Sequence, residues 1–301
     1  SVIKKPANYL MRVALAYIFI VLLWSTTPLA IKWSADGSSF IFGVTARMCI
    51  GLLCTLVFML CLSTRLVWHS LAKRTYFAIA LQIYGAMLSV YWGAQFIPSG
   101  WIAVIFGLTP FITALLSALW LSEKSLGRKS LFAYSLGIAG LGIMFYSAFQ
   151  ISLQSVLAII AILIAAFLQS FSAVWVKRLH CKLPALTQVT GGLLFAVPWY
   201  LVTWYYLDGQ LPSTLPLKSA LSILYLGLIA TPIGFALYYY VLTHLAPTRV
   251  ALITLITPVL SLLLGHTINQ EVITLNIIIG SALILSALLI HSFSGSRKKK
   301  N

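Results

Sequence analysis

Between Arg74 and Glu123 run 48 residues without one Asp, Glu, Lys or Arg. A spanning helix needs about 20 apolar residues, because the hydrocarbon core is about 30 Å thick and a helix rises about 1.5 Å per residue. This run is long enough for two spans, and Pro98, Ser99 and Gly100 supply the turn between them. The stretch from Arg12 to Lys32 holds one more uncharged span. The stretch from Lys129 to Lys177 is a second double-length run, interrupted near Gln150, Ser152 and Gln154. Only 8% of the chain is charged and 61% is apolar, against about 25% charged in soluble domains. Too few polar groups remain to cover a surface in water, so lipid must be the main solvent. A soluble enzyme, a secreted disulfide scaffold and a disordered tail are excluded. A net charge of +16 would suggest nucleic acid in a soluble protein. Here the basic residues sit between apolar runs, where they set membrane orientation. The expected partners are a lipid bilayer and a small molecule, with no nucleic acid.

The charges and turns predict an all-α integral membrane protein with ten transmembrane helices. The expected spans are 12–32, 40–62, 75–97, 100–122, 130–149, 154–177, 184–206, 219–244, 248–269 and 272–293. The first is too long for the apolar region of a signal peptide, so no cleaved leader is expected. Of 20 Lys and Arg, 17 fall on the side of the N-terminus, among them Lys4, Arg65, Lys73, Arg74, Lys124, Lys177, Arg178 and Arg297 to Lys300. Lys32 and Lys218 fall on the other side, and Arg47 lies inside a span. The positive-inside rule then places both termini in the cytoplasm.

The two halves repeat. Glu123 and Glu271 are 148 positions apart, as are Thr109-Pro110 and Thr257-Pro258, Ala103 and Ala251, and Tyr91 and Tyr239. Ser25 with Lys32 matches Ser170 with Lys177, and Arg47 with Gly51 matches Gln188 with Gly192. The repeats are expected over 1–150 (spans 1–5) and 151–301 (spans 6–10). Five spans per repeat is odd, so two copies in one chain must be inverted. Inverted repeats are typical of alternating-access carriers, whose site lies near the midplane.

With this architecture, Trp24-Ser25 in span 1 and the Glu123 and Glu271 that close spans 4 and 9, the whole chain resembles the EamA-type branch of the drug/metabolite transporter superfamily. Ser25 stands where the family pattern has glycine. The resemblance implies a ten-helix exporter of amino acids or other small metabolites in a bacterial inner (plasma) membrane. It also implies a central cavity walled by spans 1, 3, 4, 6, 8 and 9. Some members carry cationic or aromatic toxic compounds, so a multidrug or aromatic-cation exporter is the alternative.

Those six spans hold much of the polar and aromatic content. The substrate-binding candidates are Trp24, Ser25, Gln82, Tyr84, Tyr91, Trp92, Thr109, Gln169, Trp175, Tyr238, Tyr239 and Thr257, with Thr26, Thr27, Thr231 and Thr254 nearby. Hydroxyls and amides orient a ligand, and aromatic faces take apolar or cationic parts. A Gln amide in hydrocarbon is costly unless paired, so Gln82 and Gln169 are expected to face a cavity or a partner helix. Pro28, Pro110, Pro232 and Pro258 lie inside spans, where each removes a helical N–H and offers a kink or hinge. Arg47 is expected to meet Glu271 and brace the outer side, with Gln188 and Glu123 as the inner counterpart. A substrate carboxylate is the other candidate partner of Arg47. Trp33, Trp68, Trp199 and Tyr205 read as interface anchors. Eight glycines, including Gly140, Gly191, Gly192 and Gly234, read as points of close helix approach.

No Asp or Glu falls at mid-membrane depth, so coupling through a central carboxylate is disfavoured and facilitated diffusion or exchange is expected. Cys49, Cys54, Cys61 and Cys181 lack ligand spacing; no metal and no cofactor are expected. No Ser/His, paired-Asp or zinc-ligand constellation of a membrane enzyme is present in the sequence. A channel filter usually needs symmetric subunits. One copy suffices for a carrier, and a dimer is left open.

Overall fold

The computed structural model describes residues 7–121 and 128–296. Glu123, Lys4, Lys124 and Arg297 to Lys300, singled out in the sequence, lie outside the described residues. Among the described residues all regular structure is helical. Among the described residues seven helices are long and apolar enough to cross a membrane: Met11–Ser34, Phe40–Cys61, Ser99–Trp120, Phe132–Ile151, Leu153–Leu179, Ala185–Leu207 and Leu217–His244. Leu275–Ile290 is apolar but shorter. Helical chain also runs through 70–93, which carries Lys73, Arg74 and Gln82, and through 247–269, which is broken into three pieces.

The helices are α1 (Ala7–Ser34), α2 (Phe40–Cys61), α3 (Ser70–Ala80), α4 (Met87–Gly93), α5 (Ser99–Phe106), α6 (Thr109–Trp120), α7 (Arg128–Ile151) and α8 (Leu153–Leu179). They continue with α9 (Ala185–Leu207), α10 (Leu217–Tyr225), α11 (Pro232–His244), α12 (Pro247–Ala251), α13 (Thr257–Asn269) and α14 (Leu275–Ser296). A π-helical segment, Leu81–Ala86, joins α3 to α4, and another, Leu226–Ala230, joins α10 to α11. Local sequence explains several starts. Ser39 and Ser152 each accept a backbone N–H three residues on, at 3.1 Å, and so cap α2 and α8. Pro98, Pro184 and Pro216 stand just before α5, α9 and α10, where their fixed backbone suits the entry.

The prolines correct the expected mid-span kinks. Pro28 does sit inside a continuous helix. Pro110, Pro232 and Pro258 instead lie in the first turn of α6, α11 and α13. That is a position where the missing N–H would have no helical partner anyway. The chain breaks its helix before each of them and restarts on the proline of α11 and on the threonine just before the proline in α6 and α13.

Helices of the two halves pack on each other. α2 lies against α9, α7 against α14, α5 against α13, α4 and α6 against α8, and α1 against α11 and α13. Where α7 meets α14 the backbones touch. A Cβ on Gly140 would stand 2.6 Å from the Gly280 carbonyl oxygen, and one on Gly280 would stand 3.0 Å from that of Gly140. Gly234 is different: its nearest neighbours would be 3.8 Å from a Cβ, so no close approach depends on it.

Polarity is turned inside out. Leu60, Leu119, Ile138, Phe149 and Tyr206 are exposed, whereas Arg47, Gln82, Gln169 and Gln188 are buried. That arrangement suits a molecule whose outer solvent is lipid. Trp68, Trp199 and Tyr205 are exposed as interface anchors would be. Trp33, at the end of α1, is half-buried. Its indole donates to Asn269 Oδ1 at 2.9 Å, and Lys218 Nζ lies 4.1 Å from its ring centroid.

Candidate functional site

The helix breaks meet around one cavity of about 80 Å³, room for several water molecules. The first half contributes Trp24, Thr27, Pro28 and Ile31 from α1, Arg47 from α2 and Gln82 from the first π segment. It adds Met87 and Val90 from α4, and Ile102, Ala103 and Phe106 from α5. The second half contributes Gln169 from α8, Ala230 from the second π segment, Phe235 from α11, Thr254 and, at the start of α13, Thr257. A π turn shifts the side-chain register of a helix and loosens its hydrogen bonding. Gln82 is carried on such a turn. Two carbonyls of the turn, Ile83 and Tyr84, accept from the Tyr200 hydroxyl of α9 at 2.6 and 3.1 Å.

Of the substrate-binding candidates, the cavity gathers Trp24, Gln82, Gln169 and Thr257; Arg47 and Pro28 join them. The others stand elsewhere. Tyr238 backs the Trp24 ring at 5.2 Å between centroids, and Tyr239 donates to Gln82 Oε1 at 2.9 Å. Tyr91 approaches Arg47, whose guanidinium carbon is 5.9 Å from its ring centroid. Ser25 donates to Val21 O of its own helix, and its carbonyl accepts from Ser261 at 2.8 Å. Thr109 is buried at the break before α6 and its hydroxyl has no partner. Tyr84 pairs with Thr203 of α9 at 2.6 Å, Trp92 packs on Phe96, and Trp175 packs between Phe77 and Phe171. The lining residues not singled out from sequence are mostly apolar, such as Met87, Ile102, Phe106 and Phe235. An apolar residue in a span is the default, so nothing in the sequence marks these.

The expected Arg47–Glu271 contact is not formed. Arg47 Nε donates to Thr231 Oγ1 at 2.8 Å, deep in the structure. Glu271 instead caps α5. It accepts from the Ser99 N–H at 3.0 Å, the Ser99 hydroxyl at 2.9 Å and Asn269 Nδ2 at 2.9 Å. A carboxylate is stabilised there by free N–H groups and the positive end of the helix. Gln188 donates to Leu183 O at 2.9 Å, while its Oε1 is buried without a partner. Its expected companion Glu123 lies outside the described residues. Replacing Glu271 by Gln should therefore weaken the α5–α13 junction by about 1–2 kcal/mol. The expected result is a melting temperature in detergent lowered by a few degrees. An unchanged temperature would remove this role from Glu271.

Several bonds recur in the two halves. Lys32 Nζ donates to Ile97 O and Lys177 Nζ to Leu242 O, each at 2.9 Å and each across 65 residues. Thr113 donates to the Ser170 hydroxyl at 3.0 Å, and Ser261 donates to the Ser25 carbonyl at 2.8 Å. The π segments at Leu81 and Leu226 start at positions related by the same offset, 145, as Lys32 and Lys177.

The chain is similar to an uncharacterized transporter of Bacillus subtilis, YoaV, with 23% identity over 292 residues, covering 96% of this chain and all of the relative. A probable amino-acid metabolite efflux pump of Salmonella typhimurium is 26% identical over 204 residues, covering 65% of this chain and 68% of the pump. A solved crystal structure shares the fold with a TM-score of 0.68 at 18% identity, covering 94% of this chain and 98% of that one. The model of the EamA-like transporter family matches twice, over residues 11–146 and 156–293. Since the two matches take in both halves and nearly all the apolar helices around the cavity, this multi-pass membrane protein belongs to the EamA-like transporter family.

Proposed function

We propose that the chain is a carrier that exports small metabolites, amino acids or related amines, by alternating access through the central cavity. One observation carries this reading: the cavity is walled by both halves, at their helix breaks. A site shared between two halves is exposed to either side as the halves rock. In this reading the chain crosses the membrane ten times, as repeats 1–150 and 151–301 of opposite orientation, with both termini cytoplasmic in a bacterial inner membrane. The paired Lys32 and Lys177 bonds and the two π segments support the repeat. The name of the Salmonella relative supports the substrate class. Among the described residues no acidic side chain lines the cavity, which favours exchange or facilitated diffusion over coupling through a central carboxylate.

The test is counterflow in proteoliposomes without a pH or voltage gradient, using labelled neutral, aromatic and basic amino acids. Unlabelled substrate inside should drive transient accumulation of label, and the rate should saturate. A flux that rises linearly with concentration, without accumulation, would sink the carrier reading. Accumulation of aromatic cations alone would favour the multidrug alternative, for which the Trp24–Tyr238 pair offers an aromatic wall.

A further inference from the structure

We infer that the cavity is a receptor for an anionic headgroup, a carboxylate in the first instance, with Arg47 and Gln82 as its donors. This rests on the carrier reading for its biological sense, but its physical basis is independent. Arg47 is 2% exposed and lines the cavity. A guanidinium carries five N–H donors and a positive charge. One donor is taken by Thr231 at 2.8 Å, and a second reaches the Tyr91 hydroxyl only at 3.5 Å. Both partners are neutral. The described carboxylates are engaged elsewhere or remote from it: Glu271 at the start of α5 and Asp208 on Ser39, with Asp36 in the turn after α1. Among the described lining residues Arg47 is the one formal charge. A buried cation without a counter-charge is unfavourable, and an arriving anion relieves that.

Gln82 is the second, separate observation. It is fully buried, it lines the same cavity, and its Oε1 is occupied by the Tyr239 hydroxyl. That bond orients the amide and leaves Nε2 without a partner. A buried amide nitrogen needs an acceptor. The spare N–H groups of Arg47 and the unpartnered amide nitrogen of Gln82 are donors, and what satisfies donors beside a positive charge is an oxyanion. Charge-assisted and bidentate bonds of this kind are the strong ones. The apolar walls from α4, α5 and α11 suit an apolar side chain on the same solute. An amine without a carboxylate meets a positive field and no acceptor of opposite charge.

The test uses calorimetric titration of the purified full chain with three probes that differ only in charged groups: phenylalanine, 3-phenylpropionate and phenethylamine. The set is then repeated with leucine, 4-methylvalerate and isoamylamine. The carboxylates should bind and the amines should bind on the order of 30-fold more weakly or not at all. Arg47→Gln should abolish the preference, and Arg47→Lys should keep its sign. The wild-type comparison stands by itself if Arg47→Gln fails to fold. An amine that binds as tightly as its matching carboxylate overturns the inference. So does an unchanged preference in folded Arg47→Gln, or no binding of any carboxylate. Carboxylate binding without counterflow would leave this inference standing and remove the carrier reading.

Discussion

Gly191→Leu should leave almost no folded protein. A Cβ at Gly191 would land on the Tyr76 ring, and one at the neighbouring Gly192 would land on Ile79. These contacts set how closely α3 lies on α9. Tyr76 has nowhere to retreat. It is fully buried, and its hydroxyl donates to Val67 O at 2.9 Å while accepting the Val67 N–H at 3.3 Å. Overpacking a filled core costs about 1–3 kcal/mol and occasionally more. A whole leucine side chain placed into a fixed ring belongs at the upper end. The helix pair would have to separate, and α3 leads directly into the π segment that carries Gln82. Size-exclusion chromatography of a fluorescent fusion should show the monodisperse peak lost. Gly142→Ala is the control with the opposite sign. Nothing lies within 4 Å of a Cβ there, so the replacement should gain about 0.5–1 kcal/mol of helix stability. A wild-type peak from Gly191→Leu would mean that α3 and α9 are not in this close register.

Gln82→Leu should separate transport from folding. Leucine fills similar space, so packing survives. The Tyr239 hydroxyl loses its acceptor in a buried site, which costs about 1–3 kcal/mol. The cavity loses its unpartnered amide donor. Initial counterflow rates should drop roughly tenfold to a hundredfold, the equivalent of one or two buried hydrogen bonds to a ligand. Tyr239→Phe separates the two effects. It removes the supporting bond but keeps the amide, so it should lower stability while keeping most of the flux. Full transport by Gln82→Leu would show that the amide does not meet the substrate.

Much of the site was legible as a set of candidates and much less as an arrangement. Gln82, Gln169, Trp24 and Thr257 stood out because polar or aromatic groups at mid-span depth need a reason to be there, and the cavity supplies it. Ser25, Tyr84 and Trp92 carry the same signal, but Ser25 bonds a carbonyl of its own helix, Tyr84 bonds Thr203 of α9 and Trp92 packs on Phe96 four residues on. A hydroxyl satisfied by a helix carbonyl and one aimed at a ligand look alike in one dimension. Arg47 was recognisable as an isolated charge, yet its neighbour Thr231 lies 184 positions away. Nothing local in the chain distinguishes that neighbour from Glu271.

What the amino-acid sequence determined alone was the lipid solvent, the all-helical class and the repetition of the family pattern. Charge spacing and hydropathy are local properties, and the 148-residue offset is a property of one dimension. The tertiary structure decided which faces line the cavity, that three prolines stand where helices restart, and that Glu271 caps α5 while Arg47 stays without a carboxylate among the described residues. The physical reason is the lipid. In water, apolar periodicity tells the inside of a helix from its outside. In a bilayer both sides are apolar, so orientation is set by packing between helices distant in the chain.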